Sequence, residues 1–299
     1  MESGTEARLL TAAAVRRLLE EHDLALRRSS GQNFVVDPNT VRKIVRDARV
    51  GPDDVVLEIG PGLGSLTLAL ADHARHVVTV EIDAGLVRAL RGVLGDRRDV
   101  EIVHADALHV DFDELLAEPG RLIANLPYNV ATPIVFRALH SGAITDLFVM
   151  VQREVGERWA AHPADALYSG VSVKLRLVAD VEVVAVVPRT VFYPIPNVDS
   201  VTVRVSRRHD APLPTERAAI VEVVDLAFAQ RRKMLRNSLR SLTDRERLTA
   251  AFAAAGIDPS MRPEELPAAA FRRLAVALAE PSGDWVPAAA TTGRAGSPP

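Results

Sequence analysis

The 299-residue chain predicts an α/β fold, a parallel sheet covered by helices on both faces, followed by a small helical domain. From residue 54 onward, short apolar runs of strand length recur between helical stretches, the signature of strands buried on both faces. The first of these runs ends in a glycine turn, Glu58-Ile59-Gly60-Pro61-Gly62-Leu63-Gly64, which leads from a strand into a helix. Beyond residue 207 the strand-like runs cease and only helical spacing remains.

Taken in order, residues 11–27 read as a helix, because Val15, Leu18, Leu19 and Leu26 recur at helical spacing among charged residues. A polar segment with Asn33 and Phe34 follows, and Asp37-Pro38 opens a second helix as N-cap and first helical residue. Strands are predicted at 55–59, 76–81, 100–106, 121–125 and 147–152, with helices over 65–73 and 85–94. Two further strand-like runs, 175–187 and 198–205, should form an antiparallel edge. Helices are then expected over 216–242, 245–255 and 264–278. The domain division that results is an N-terminal helical extension (1–27), a sheet domain (28–207), a helical domain (208–280) and a disordered tail (281–299) rich in Pro, Ala, Gly and Thr.

Bulk properties narrow the class. A hydrophobic content of 48% and a charged content of 25% suit a globular protein with a sizeable core. The absence of cysteine excludes disulfides, thiolate metal sites and a cysteine nucleophile. The acidic start Met1-Glu2-Ser3-Gly4-Thr5-Glu6 lacks the order of a secretory signal, and no apolar run reaches membrane-spanning length. A cytoplasmic monomer without membrane attachment is the default expectation. His73, His76, His104 and His109 show no ligand spacing with nearby carboxylates, so no metal is expected.

The strand ends carry the chemistry. Open α/β sheets bind ligands at the carboxyl ends of their strands. Gly60, Gly62 and Gly64 let the backbone approach a ligand there, with the spacing G-x-G-x-G rather than the G-x-G-x-x-G of dinucleotide binders. Glu81 ends the second strand, where a carboxylate can accept both hydroxyls of a ribose. Asp106 ends the third, within reach of an adenosine's exocyclic amine. A tight turn and two solvated acids are the plain alternative, but three such features on successive strand ends point to an adenosyl ligand. NAD remains compatible with these features alone, which keeps a nicotinamide oxidoreductase open.

Asn125-Leu126-Pro127-Tyr128, at the end of the fourth strand, argues for a different donor. The Asn125 side-chain carbonyl and a main-chain carbonyl near Pro127 can accept both N–H bonds of an adenine-type amine. Tyr128 offers a flat face for an extruded base, and Phe192 in Phe192-Tyr193-Pro194-Ile195-Pro196 is the candidate for the other face, with a core anchor as its alternative role. A dehydrogenase has no use for this turn, whereas methyl transfer to an amine from S-adenosylmethionine does. Catalysis should rest on positioning and electrostatics without a strong general base, because the sulfonium already activates the methyl group.

These motifs, together with Gly31-Gln32-Asn33-Phe34, Gln152-Arg153-Glu154-Val155, Phe192 to Ser200 and Gln230-Arg231-Arg232-Lys233, resemble the ribosomal RNA adenine N6,N6-dimethyltransferase family from about residue 27 to 239. The resemblance implies a Rossmann-like class I S-adenosylmethionine-dependent methyltransferase sheet. Leu126, Asp199 and the run 228–239 are similar to the KsgA/RsmA branch, which dimethylates two adjacent adenosines near the 3′ end of 16S rRNA in the small ribosomal subunit. The Erm branch, acting on 23S rRNA and conferring macrolide-type resistance, is the alternative, and a non-catalytic small-subunit assembly factor is another. By motif, the resemblance places S-adenosylmethionine, consumed as methyl donor, against Asn33, Val35, Gly60, Glu81, Asp106 and Asn125. Position 35 departs from the family's usual leucine.

The overall charge of −3 disfavours a nucleic-acid partner only if basic residues are scattered. They are not: Arg231, Arg232, Lys233, Arg236 and Arg240 fall in one acid-free stretch, predicted to be a helix that meets RNA, with Arg27, Arg28 and Arg153 adding to the surface. A solvated basic face is the plain alternative.

Overall fold

A computed structural model describes residues 9–25 and 32–279. The expected tail at 281–299, and Arg27 and Arg28, lie outside the described residues. The chain divides into two compact units, residues 1–156 with 181–207, and residues 157–180 with 208–299.

The first unit begins with α1 (Ala12–Glu21), shorter than the helix expected over 11–27 because the chain turns at His22 and takes a positive φ of 50° at Asp23. Leu9, Leu10, Val15 and Leu19 are buried in the unit's main core, so residues 9–19 pack into this unit. A short strand, β1 (Phe34–Val35), leads to α2 (Pro38–Ala48). Asp37 caps that helix by accepting from the Thr40 amide at 2.8 Å and the Thr40 hydroxyl at 2.6 Å.

An alternating series follows: β2 (Val55–Ile59), α3 (Ser65–Ala71), β3 (His76–Glu81), α4 (Ala84–Leu94), β4 (Val100–His104), α5 (Phe112–Leu115), β5 (Gly120–Asn125), α6 (Ala131–His140) and β6 (Ile144–Gln152). β2 is buried along its whole length and β3 at all but its first residue, as their apolar runs predict. After α7 (Arg153–Ala160) and α8 (Gly170–Val178) come β7 (Ala179–Val187), β8 (Phe192–Tyr193) and β9 (Ser200–Arg207). The main sheet has the order β4-β3-β2-β5-β6-β9-β7, and β1 pairs with β8 apart from it. Strands β2 to β6 run parallel, and β9 runs antiparallel to β6.

This order places the site. The chain builds outward from β2 to β3 and β4, then returns to lay β5 on the other side of β2. Connections reverse between β2 and β5, which opens a crevice at their carboxyl ends. At the opposite, amino ends, Arg121 of β5 holds the layers together. Its guanidinium donates to Asp54 at 2.9 Å, to both oxygens of Asp146 at 2.9 and 3.1 Å, and to the carbonyls of Ala48 and Arg49 that end α2.

Residues 175–178 depart from the expected strand over 175–187. They complete α8, whose first turn is fixed by the Ser169 amide donating to Ser172 Oγ at 3.1 Å. Only from Ala179 does the chain extend. The segment 157–180, expected within the sheet domain, groups with the C-terminal helices, where the Tyr168 hydroxyl donates to the Leu266 carbonyl at 2.8 Å.

That second unit is built on α9 (Pro214–Ala229), α10 (Leu235–Ser238), α11 (Arg245–Ala255) and α12 (Ala268–Ala279). The single helix expected over 216–242 is broken at Gln230. The amides of Leu235 and Arg236 bond instead to the carbonyls of Met261 and Pro259, which buries Leu235 and Leu239 completely. These tertiary bonds outweigh the helical spacing. Among the described residues, no helix is long and apolar enough to cross a membrane.

Candidate active site

A pocket of about 370 Å³ opens at the carboxyl ends of β2, β3 and β5. Its floor is the glycine turn after β2. Gly60, Gly62 and Gly64 adopt φ of +70°, +59° and +91°, a region that favours glycine. A Cβ at Gly62 would stand 2.8 Å from the Phe34 ring, so no side chain fits where the turn passes β1. At Gly60 the Pro127 ring would be 3.2 Å away, so the bare backbone lets the Asn-Leu-Pro-Tyr turn pack against the glycine turn.

Glu81 closes one wall. It is 6% exposed, and its carboxylate accepts from the Gly62 amide at 3.2 Å and the Asp83 amide at 3.0 Å. Burial raises its pKa, against the lowering effect of those amides. Asp106 behaves oppositely. The Leu108 amide at 2.8 Å, helped by His109 Nδ1 at 2.9 Å, holds its carboxyl below the usual range.

Asn125, at the end of β5, is the decisive group. Its Nδ2 donates to the Asn33 carbonyl at 3.1 Å, which fixes the amide plane, while its Oδ1 is buried with no hydrogen-bond partner. An orphaned buried acceptor carries a desolvation cost of about 1–3 kcal/mol, which a donor arriving in the pocket relieves. Leu126 is buried and its amide donates to the Met150 carbonyl, while the Pro127 carbonyl accepts from the Val130 amide at 3.2 Å, so the turn is braced on both sides. The Tyr128 hydroxyl is hydrogen-bonded to Ser200 Oγ at 3.0 Å, and burial pushes its phenol upward.

The pocket brings together Asn33, Val35, Gly60, Glu81, Asp106 and Asn125, and with them Leu126, Pro127 and Tyr128. It can take a flat, hydroxylated ligand on one side and an amine on the other. Among the described residues, no group of three or more His, Asp or Glu stands close enough to hold a metal ion.

Comparison with known proteins decides the class. The family described as ribosomal RNA adenine dimethylase matches residues 24–280. The chain belongs to the ribosomal RNA adenine dimethylase family. A relative in Thermobifida fusca, named ribosomal RNA small subunit methyltransferase A, is 49% identical over 280 residues, covering 91% of this chain and 97% of that protein. A Streptomyces coelicolor protein of the same name is 45% identical, covering 92% and 99%. Among solved structures, the 23S rRNA methyltransferase ErmE aligns with a TM-score of 0.64 at 30% identity, covering 82% of this chain and 99% of that one.

Phe192 and the basic run sit differently in this dimethylase from the stacking face and the long helix that the sequence suggests. Phe192 is 1% exposed and pairs with Val35 across the two-stranded sheet, so its ring fills the core and presents no free face for a base. A lone aromatic beside a proline-rich loop serves as anchor here. Arg231 is tied by its guanidinium to Glu264 at 2.6 Å and to the Ala166 carbonyl at 3.0 Å. Arg232, Lys233, Arg236 and Arg240 are exposed, on a turn and the short α10 rather than along one long helix, and none forms an ion pair among the described residues.

Glu58 escaped the sequence reading as a site residue. It lines the pocket at 1% exposure and accepts from Thr67 Oγ1 at 2.6 Å. Burial pushes its pKa up to about 8, with Glu81 adding to the rise against the Thr67 bond. The signal was available: a carboxylate inside Val55-Val56-Leu57-Glu58-Ile59, a strand otherwise wholly apolar.

Proposed function

We propose that this chain transfers methyl groups from S-adenosylmethionine to the N6 amines of two adjacent adenosines near the 3′ end of 16S rRNA in the small ribosomal subunit. The observation that carries the chemistry is the unpartnered Oδ1 of Asn125, held in place from Asn33 beside the glycine turn. The small-subunit target rests on relatives named ribosomal RNA small subunit methyltransferase A at 43–49% identity, against 30% for ErmE.

The donor fits the residues present. Glu81 offers a carboxylate for ribose hydroxyls, the side-chain-free glycine turn makes room for the methionine portion, and Asp106 stands at the adenine end. S-adenosylmethionine supplies a methyl group on a positively charged sulfur, and the bond pair returns to sulfur as nitrogen takes the carbon. Asn125 Oδ1 and a turn carbonyl accept the two N–H bonds of adenine N6, which turns its lone pair away from the ring and toward the methyl group. The N6 proton leaves after the new bond forms, so no strong base is required. Tyr128, held through Ser200, gives the base one stacking face. A second round follows once the monomethylated amine is seated again.

The test is labelled donor with unmethylated small and large subunits, read by nucleoside mass spectrometry. Two neighbouring dimethyladenosines in 16S rRNA are expected. Asn125→Ala should lower kcat by about 10²–10³-fold, the scale on which losing one preorganised hydrogen-bonding group slows an active site. Label in 23S rRNA instead would assign the Erm-type target, and donor binding without transfer to either would leave an assembly factor.

A further inference from the structure

Two large apolar side chains stand in the open beside this site. Ile195 is 60% exposed and Val198 45% exposed, both in the six-residue connection between β8 and β9. Their loop is tied to the pocket at each end. On one side Tyr193 pairs with Phe34, which lines the pocket, and on the other Ser200 holds the Tyr128 hydroxyl. The loop is also stiff. Pro194 and Pro196 restrict its backbone, the Asp199 carboxylate accepts from the Arg189 amide at 2.9 Å, and the Asp199 carbonyl accepts from the Arg153 amide at 3.0 Å. Neither side chain contributes to the core, and the stiff loop beside the pocket holds both of them open to a partner outside the folded chain.

The reaction supplies one. Seating an adenine in the pocket removes it from its stack and bares the face of its neighbour, which costs stacking energy. With two adjacent targets this happens twice. Proteins that hold nucleic-acid stacks open do so with apolar wedges such as isoleucine, leucine and proline. We propose that Ile195 and Val198 are the wedge of this enzyme, covering the nucleobase left bare when the target adenosine enters the pocket. This rests on the proposed action on rRNA adenosines. It makes the two residues positioning residues rather than catalytic ones, since neither lines the pocket.

The test uses the full chain with Ile195→Ser and Val198→Ser combined. Wild type must first methylate unmethylated small subunits; if it does not, the parent proposal fails and the wedge with it. Given that activity, the double variant should fall about tenfold in kcat/KM for subunits, the worth of a single base stack. Its KM for S-adenosylmethionine and its melting temperature should stay unchanged, and Ile195→Leu should behave as wild type. On an RNA whose nucleotide beside the target is abasic there is no bared base to cover, and wild type and double variant should become equal. Equal rates on intact subunits, or the same loss on the abasic RNA, would overturn the wedge. A loss on intact subunits that vanishes on naked rRNA would also overturn it, and would assign the two side chains to a ribosomal protein instead.

Discussion

Glu58 shows how one side chain can couple the pocket to the stability of the fold. Its carboxyl keeps its proton in the folded chain up to about pH 8, whereas the ordinary value is 4.5. A folded-state pKa above the unfolded one means that the stabilising contribution is full below pH 4.5 and is lost as pH rises to 8, at no more than ~1.4 kcal/mol per pH unit. The ligand-free protein should therefore melt at lower temperature at about pH 8.5 than at about pH 6, and Glu58→Gln should remove much of that difference. A melting profile of the variant parallel to wild type across this range would contradict the assignment. Residues such as Glu81, Asp106 and Asn125 were legible in the sequence because Glu81 and Asn125 each end a strand that its apolar run identifies and Asp106 lies two residues beyond one. For Phe192 the sequence left a stacking face and a core anchor both open, because exposure of an aromatic depends on which strand lies opposite, and Val35 is 157 positions away in sequence.

At the scale of elements, the parallel strands were readable from short apolar runs bounded by glycine or charge. Where an apolar run continued through a change of structure, reading failed. The stretch 175–187 has no breaker, and α8 gives way to β7 between Val178 and Ala179 with no change in local preference to mark the boundary. The break at Gln230 is of the same kind, set by backbone bonds to Met261 and Pro259. Arg121 is the element-level counterpart on the other unit, since it joins the starts of β2, β5 and β6 to the end of α2. Arg121→Met should cost about 2–3 kcal/mol, less than for a fully buried pair because Asp54 and Asp146 keep part of their hydration. A urea midpoint that falls with an unchanged slope would record it, and an unchanged midpoint would show the clamp to be idle.

Over the whole molecule, charge is distributed unevenly enough to matter. The chain carries −3 overall, yet Arg232, Lys233, Arg236 and Arg240 stand exposed together in the second unit. Replacing all four with glutamine should flatten the dependence of rRNA affinity on salt by about one unit of log–log slope for every phosphate no longer neutralised, and leave donor binding untouched. An unaltered slope would place the RNA surface elsewhere. In the first unit, the hydrogen bond from Asn125 to the Asn33 carbonyl spans 92 positions of sequence and joins the acceptor turn to a segment lining the donor side of the pocket. Its consequence is thermodynamic. A ligand that settles residues 32–35 also settles the angle at which Oδ1 meets an incoming amine, so occupancy of one side carries a coupling free energy to the other. Linkage makes that coupling reciprocal: donor and RNA should tighten each other's binding by the same factor, and the order in which they arrive should be a matter of rates alone.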